Sequence, residues 1–272
     1  LPAVISDNLN AEASCFGISN GKADIVTIQQ PPKRVSQQPH VSAAAAPVLA
    51  LRANRRAALP RVLPFATFIA FIIVADVLER IGAHANTLRW LYPVKIALVL
   101  AMLWAWRHHY RELRVWPGRR DVAAAVGIGA AVFVLWLLLD LAWMQSGTPR
   151  AFDAAGEDGR IDWLPVAVRA AGAALVVPLM EELFWRSFLL RWLDQRAFLS
   201  LRPARVSLRA AAISVLLFGI EHNLWLAGIV AGIAYTLLYM RSETLWTPIL
   251  GHAVTNSLLA AWVMATGSWT YW

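Results

Sequence analysis

The sequence predicts an all-α, polytopic transmembrane helix bundle, and three observations carry that expectation. Of its 272 residues 58% are hydrophobic and 15% charged, with 14 Trp, a balance suited to lipid rather than to a soluble surface. Seven apolar segments follow one another through residues 58–272, most of them near the ~20 residues that a bilayer core requires. The arginines gather beside those segments, at 52–61, 107–120 and 191–209, as the positive-inside rule expects of loops on one face.

Taken in order, residues 1–57 are a polar stretch mixed with Ala, Pro and Gln, without a sustained period of two or 3.6. No initiator Met and no signal-peptide order are present, so this stretch reads as a disordered N-terminal extension or as sequence translated upstream of the true start. Residues 58–272 read as the transmembrane domain. Its segments run at about 62–78, 88–106, 122–144, 164–193, 210–222, 224–240 and 245–265. Almost no loop separates the fifth from the sixth. The loop at 150–162 leans acidic, through Asp153, Glu157, Asp158 and Asp162. Alternating the segments places the three basic clusters on one face and this loop on the other, which predicts a multi-pass protein with a cytoplasmic N-terminus and an outward C-terminus.

That distribution accounts for the net charge of +8 without nucleic acid, which is not expected as a partner; the lipid bilayer is. The single cysteine, Cys15, excludes an intramolecular disulfide, a Cys-based zinc site and a C-terminal prenylation box. Gly228 and Gly232 form a small-xxx-small pattern that reads as helix packing. Asp76, Lys95, Asp140 and Arg169 lie near segment ends, where snorkelling or one partner suffices.

The chemistry concentrates in the fourth, fifth and seventh segments. Met180-Glu181-Glu182-Leu183-Phe184-Trp185-Arg186 puts two carboxylates and a guanidinium inside an apolar run, where ionised groups must pair, face water or react. Glu182 and Arg186 share a helix face at i, i+4, so they are expected to pair. Glu181 lies roughly 100° around the helix and is left free. Pro178 removes a helix hydrogen bond and favours a kink just before the glutamates. Phe218 and His222 share a face at the end of segment five, and His252 and Asn256 share one in segment seven. Counting about 1.5 Å per residue from the flanking charged residues, Glu181 lies roughly 15 Å deep, His252 roughly 13 Å and His222 roughly 20 Å, so the three clusters meet if helix tilt closes the difference.

One carboxylate, two imidazoles and an amide make a hydrolytic inventory. Glu181 would take a proton from water, His222 would position that water, and His252 with Asn256 would stabilise an oxyanion. Two other readings use the same residues. Glu181, His222 and His252 are a credible zinc set for a membrane hydrolase. A non-catalytic scaffold or immunity factor would use the polar groups only to satisfy one another.

Glu181-Glu182-x-x-x-Arg186, Phe218-x-x-x-His222 and His252-x-x-x-Asn256 resemble, in order and spacing, the three motifs of the CPBP (CAAX protease and Abi) family of intramembrane glutamic endopeptidases. The resemblance spans residues 164–268. Within the family, Trp185 to Trp192 together with the surroundings of His222 and His252 look like the bacterial CAAX prenyl protease-related proteins of exosortase (PEP-CTERM) systems. The resemblance implies about seven to eight helices around a catalytic cavity open toward the cytoplasm, the added one a short helix near Phe198 to Leu201. It implies a glutamic-type protease similar to CAAX prenyl protease 2, working without a cofactor in the inner membrane of a bacterium. Substrate does not carry over with the resemblance; the expected class is membrane-associated peptides or protein tails, with exosortase-system components as further partners. Glu181 would be the base assisted by His222, His252 and Asn256 the oxyanion hole, and Glu182 with Arg186 the support of the site.

Overall fold

In the computed structural model, residues 45–147, 152–156 and 159–272 are described. They form seven helices and no strand: α1 (Ala45–Arg80), α2 (Ala85–Ala105), α3 (Arg119–Leu138), α4 (Trp163–Trp192), α5 (Leu208–Glu221), α6 (Trp225–Ser242) and α7 (Trp246–Thr266). All but α5 are long and apolar enough to cross a membrane. With 14 residues α5 reaches about 21 Å, short of the ~30 Å hydrocarbon core. The outer surface carries many large apolar side chains: Ile73, Leu138 and Leu237 are more than half exposed, as lipid-facing side chains of a multi-pass membrane protein are.

Helix ends follow local chemistry. Asp162 caps α4 by accepting from the Leu164 N–H, and Ser207 caps α5 by accepting from that of Ala210. The break between α5 and α6 is made by His222, whose backbone is extended. Segment three stops at Leu138, short of its predicted end. Asp140 there leaves the helix to accept from the Gln145 amide (2.6 Å) and the Tyr271 hydroxyl, and Ala142–Met144 form a separate 3-10 turn. The short helix expected near residue 198 is a single 3-10 turn, Phe198–Ser200. At the other end of the chain α1 begins at Ala45, inside the stretch read as an extension; the rest of that stretch, residues 1–44, lies outside the described residues.

α4 runs through the bundle against α1, α2 and α7, while α3 packs on α6 and α7, and α5 pairs with α6. Glycines allow the closest approaches. A Cβ on Gly129 of α3 would strike the Gly251 carbonyl of α7 and lie 2.9 Å from Val254 Cβ. One on Gly228 of α6 would sit 3.0 Å from Gly219 Cα of α5, so the small-xxx-small pattern is a packing face.

The loops gather at two ends. At one, Thr244 Oγ1 donates to the Val115 carbonyl and Trp246 Nε1 to that of Leu113, and Arg202 pairs with Glu243. At the other, the Ser146 N–H donates to the Asn223 carbonyl and that of Phe152 to Trp269. Two arginines counted in the basic clusters are not loop charges. Arg61 and Arg191 are buried, held by Glu112 and Ser187.

Candidate active site

α4 carries the two glutamates between two π-helical turns, Gly172–Val176 and Leu183–Leu189. Such turns widen the helix and shift the side chains that follow, an arrangement frequent at functional sites. The first turn has a consequence at Pro178. The Val177 N–H bonds the Gly172 carbonyl five residues back, so the next donor in that register would be the N–H that Pro178 lacks. The carbonyl left over is that of Ala173, and Asn256 Nδ2 donates to it at 2.8 Å. Asn256 thus spends one of its two amide protons on α4 and retains the other.

Beyond Pro178, Glu182 is fully buried and shared. Arg186 Nη1 donates to its Oε1 at 3.2 Å, and Arg186 Nε lies 3.1 Å from its Oε2 in an ionic contact without hydrogen-bond alignment. His252 Nδ1 is 3.0 Å from the same Oε1. The expected Glu182–Arg186 pair therefore forms and also reaches α7. Arg186 is held from its other side as well: its guanidinium lies 4.3 Å from the Phe218 ring centroid and donates to the Gly232 carbonyl at 3.4 Å.

Glu181 is 5% exposed, and its Oε2 is buried without a hydrogen-bond partner among the described residues. Its strongest charged neighbours are Glu221, Glu182 and Arg186. A buried acceptor left open is rare and costly; Glu182 Oε2 also lacks an aligned hydrogen bond but has the Arg186 Nε contact, so among the described residues Glu181 Oε2 is the one of the two with neither. The indole N–H of Trp185, on the same helix, is also buried, and its polar neighbour among the described residues is the Glu221 carboxyl.

The two histidines are oriented alike. His222 Nδ1 lies 2.7 Å from the Phe218 carbonyl, which can only accept, so Nδ1 carries the proton and Nε2 is the free nitrogen. His252 uses Nδ1 on Glu182 and also leaves Nε2 free. Phe218 stands between them, its ring 4.6 Å from that of His222 and 6.3 Å from that of His252. Tyr235 stacks on His252 at 5.0 Å and donates to Thr255, whose hydroxyl also approaches the Gly129 and Gly251 carbonyls. Among the described residues no three His, Cys, Asp or Glu side chains are grouped to hold a metal ion.

Sequence reasoning missed Tyr235, Phe218's place between the imidazoles, and a second network one turn beyond the glutamates. There Arg61 donates to Glu112 through Nε (2.9 Å) and Nη2 (2.7 Å). Ser187, in the π turn after Arg186, also donates to Glu112, and Arg191 Nη2 lies 2.9 Å from the Ser187 hydroxyl. Burial would raise the Glu112 carboxyl, but the hydrogen bond and charge of Arg61, with the Ser187 hydroxyl, hold it below the usual glutamate value. The signal in the sequence was Glu112 itself, the lone acid in an arginine-rich loop.

Four of the six motif residues thus form one cluster, Glu181 and Glu182 on α4 with Arg186 and His252, while Phe218 joins His222 to it. Asn256 lies one turn along α7 from His252, with its amide on the Ala173 carbonyl. Residues 163–258 match the family model of the type II CAAX prenyl endopeptidases, Rce1-like. No curated protein and no solved structure matches the chain. The match starts at the first residue of α4, covers about a third of the sequence and takes in every motif residue. Over residues 163–258, through those residues, their order and the helices that hold them, the chain is similar to the type II CAAX prenyl endopeptidases.

Proposed function

We propose that the protein is an intramembrane glutamic endopeptidase that hydrolyses peptide bonds of membrane-associated peptides or protein tails. The observation that carries this reading is the division of labour on α4. Glu182 is consumed by Arg186 and His252, whereas Glu181 Oε2 is buried with an open lone pair. Glu181 takes the proton of a water as its oxygen attacks the peptide carbonyl, with His222 Nε2 accepting a hydrogen bond from the same water. The oxyanion needs donors. His252 serves when it carries both ring protons, Nδ1–H on Glu182 and Nε2–H on the oxyanion, so Glu182 is its counter-ion as well as that of Arg186. The second amide proton of Asn256 completes the set only if a bound substrate reaches the level of Ala173. The proton on Glu181 then passes to the leaving amine.

The basic loops at the 107–120 and 191–209 end support a cytoplasmic orientation for that face. The sequence around His222 and His252 supports a bacterial inner-membrane setting with exosortase-system components as partners. Terminal-peptide mass spectrometry of membranes carrying the wild type or Glu181→Gln tests the reading. New C-termini dependent on Glu181 are expected. Identical terminal peptides in both membranes contradict a protease and favour the scaffold reading.

A further inference from the structure

A cavity of about 420 Å³ lies between the N-terminal ends of α2 and α4, away from the glutamates. Its volume falls within the ~300–1,000 Å³ typical of small-molecule sites. Only two of its lining residues are charged, Arg89 at the fifth position of α2 and Asp162 at the cap of α4, and they face each other at 2.7 Å. The rest of the wall is apolar, with Trp90, Pro93, Leu164 and Val168 prominent. Both helices enter the membrane here, since the apolar spans begin at Leu88 and Trp163. Trp90 is 66% exposed, Trp163 58% and Leu164 68%. Exposed tryptophans beside charged residues at helix ends mark the depth of the lipid headgroups.

The cavity therefore offers one cation and one anion at headgroup level above a greasy wall that opens to the acyl chains. An anionic lipid would meet Asp162, and a bare cation would meet Arg89. A zwitterion of matching order satisfies both. We propose that this cavity seats the headgroup of a primary-amine phospholipid, phosphatidylethanolamine, with its phosphate on the Arg89 guanidinium and its ammonium on the Asp162 carboxylate. The acyl chains run along Leu164, Pro93 and Val168. Binding exchanges one half-exposed ion pair, worth little in itself, for two charge-assisted contacts and buried chain. A choline headgroup presents no N–H to Asp162. The site is independent of the reading of Glu181.

Native mass spectrometry of the purified full chain, titrated with ethanolamine, choline and glycerol phospholipids of identical acyl chains, reads this directly. Roughly tenfold tighter binding of the ethanolamine lipid is expected. Val168→Trp fills the cavity while keeping the Arg89–Asp162 pair, and it should abolish the preference while its helical content is unchanged. Leu164→Trp, at an exposed position, is the second plug should Val168→Trp fail to fold. Equal binding of the three lipids, or a folded plugged variant that keeps the preference, overturns the proposal. Competition by water-soluble phosphoethanolamine at the lipid's own concentration overturns the assignment to a lipid.

Discussion

Glu182 Oε1 accepts from His252 Nδ1 at 3.0 Å and from Arg186 Nη1 at 3.2 Å, so one carboxylate oxygen ties α4 to α7 and neutralises the guanidinium between them. All three residues are at most 4% exposed. The pair is thereby a structural knot, and the glutamate beside it is relieved of that work.

Breaking the knot from one side strands a buried charge. Arg186→Met or Glu182→Leu alone should cost about 3–5 kcal/mol, whereas the double variant should cost much less than the sum. Denaturant unfolding in micelles measures the cycle, and additive losses would contradict the pairing.

Asn256 and Pro178 should be coupled through the carbonyl of Ala173. Asn256→Ala leaves that buried acceptor empty, at about 1–3 kcal/mol. Pro178→Ala returns a backbone donor in the same register, so the double variant should unfold close to Pro178→Ala alone.

Glu112 sets an acid limit. Its folded-state value lies below the 4.5 of an unperturbed glutamate, so protons bind the unfolded chain more readily. The stabilisation it contributes is complete above about 4.5, declines as pH drops below that, and is gone once pH has fallen through the folded value. Glu112→Gln should flatten the thermal unfolding midpoint over that window relative to wild type; an unchanged slope would show that Arg61 and Ser187 do not hold the ionised form.

Two glycines on α3 should differ sharply. Gly129→Ala drives a methyl into the Gly251 backbone and should destabilise by ~1–3 kcal/mol, whereas nothing lies within 4 Å of a Cβ at Gly127, where alanine should be neutral or slightly stabilising. Equal effects in thermal unfolding would mean that α3 and α7 are not in close contact there.

Six of the spans were legible because lipid demands about twenty apolar residues, a requirement that needs no tertiary information. α5 was legible as apolar but not as short, since its end depends on how His222 turns. Arg61 looked like Arg55 and Arg56 beside it; what buries it is Glu112, 51 positions away. At the site, the Glu182–Arg186 pair was readable because both lie on one helix. The partner of His252 was not, because it depends on how near α4 and α7 approach. Asn256 was nearly readable: Pro178 announces an orphan carbonyl nearby, but only the π turn makes it that of Ala173.

The central claim, that Glu181 and not Glu182 is the base, is tested most directly by peptide cleavage in proteoliposomes containing purified Glu181→Gln. The account predicts loss of ~10²–10⁴-fold or more in turnover, with the unfolding midpoint unchanged or raised because an open buried carboxylate has been removed. A folded Glu181→Gln protein that cleaves at the wild-type rate would contradict it.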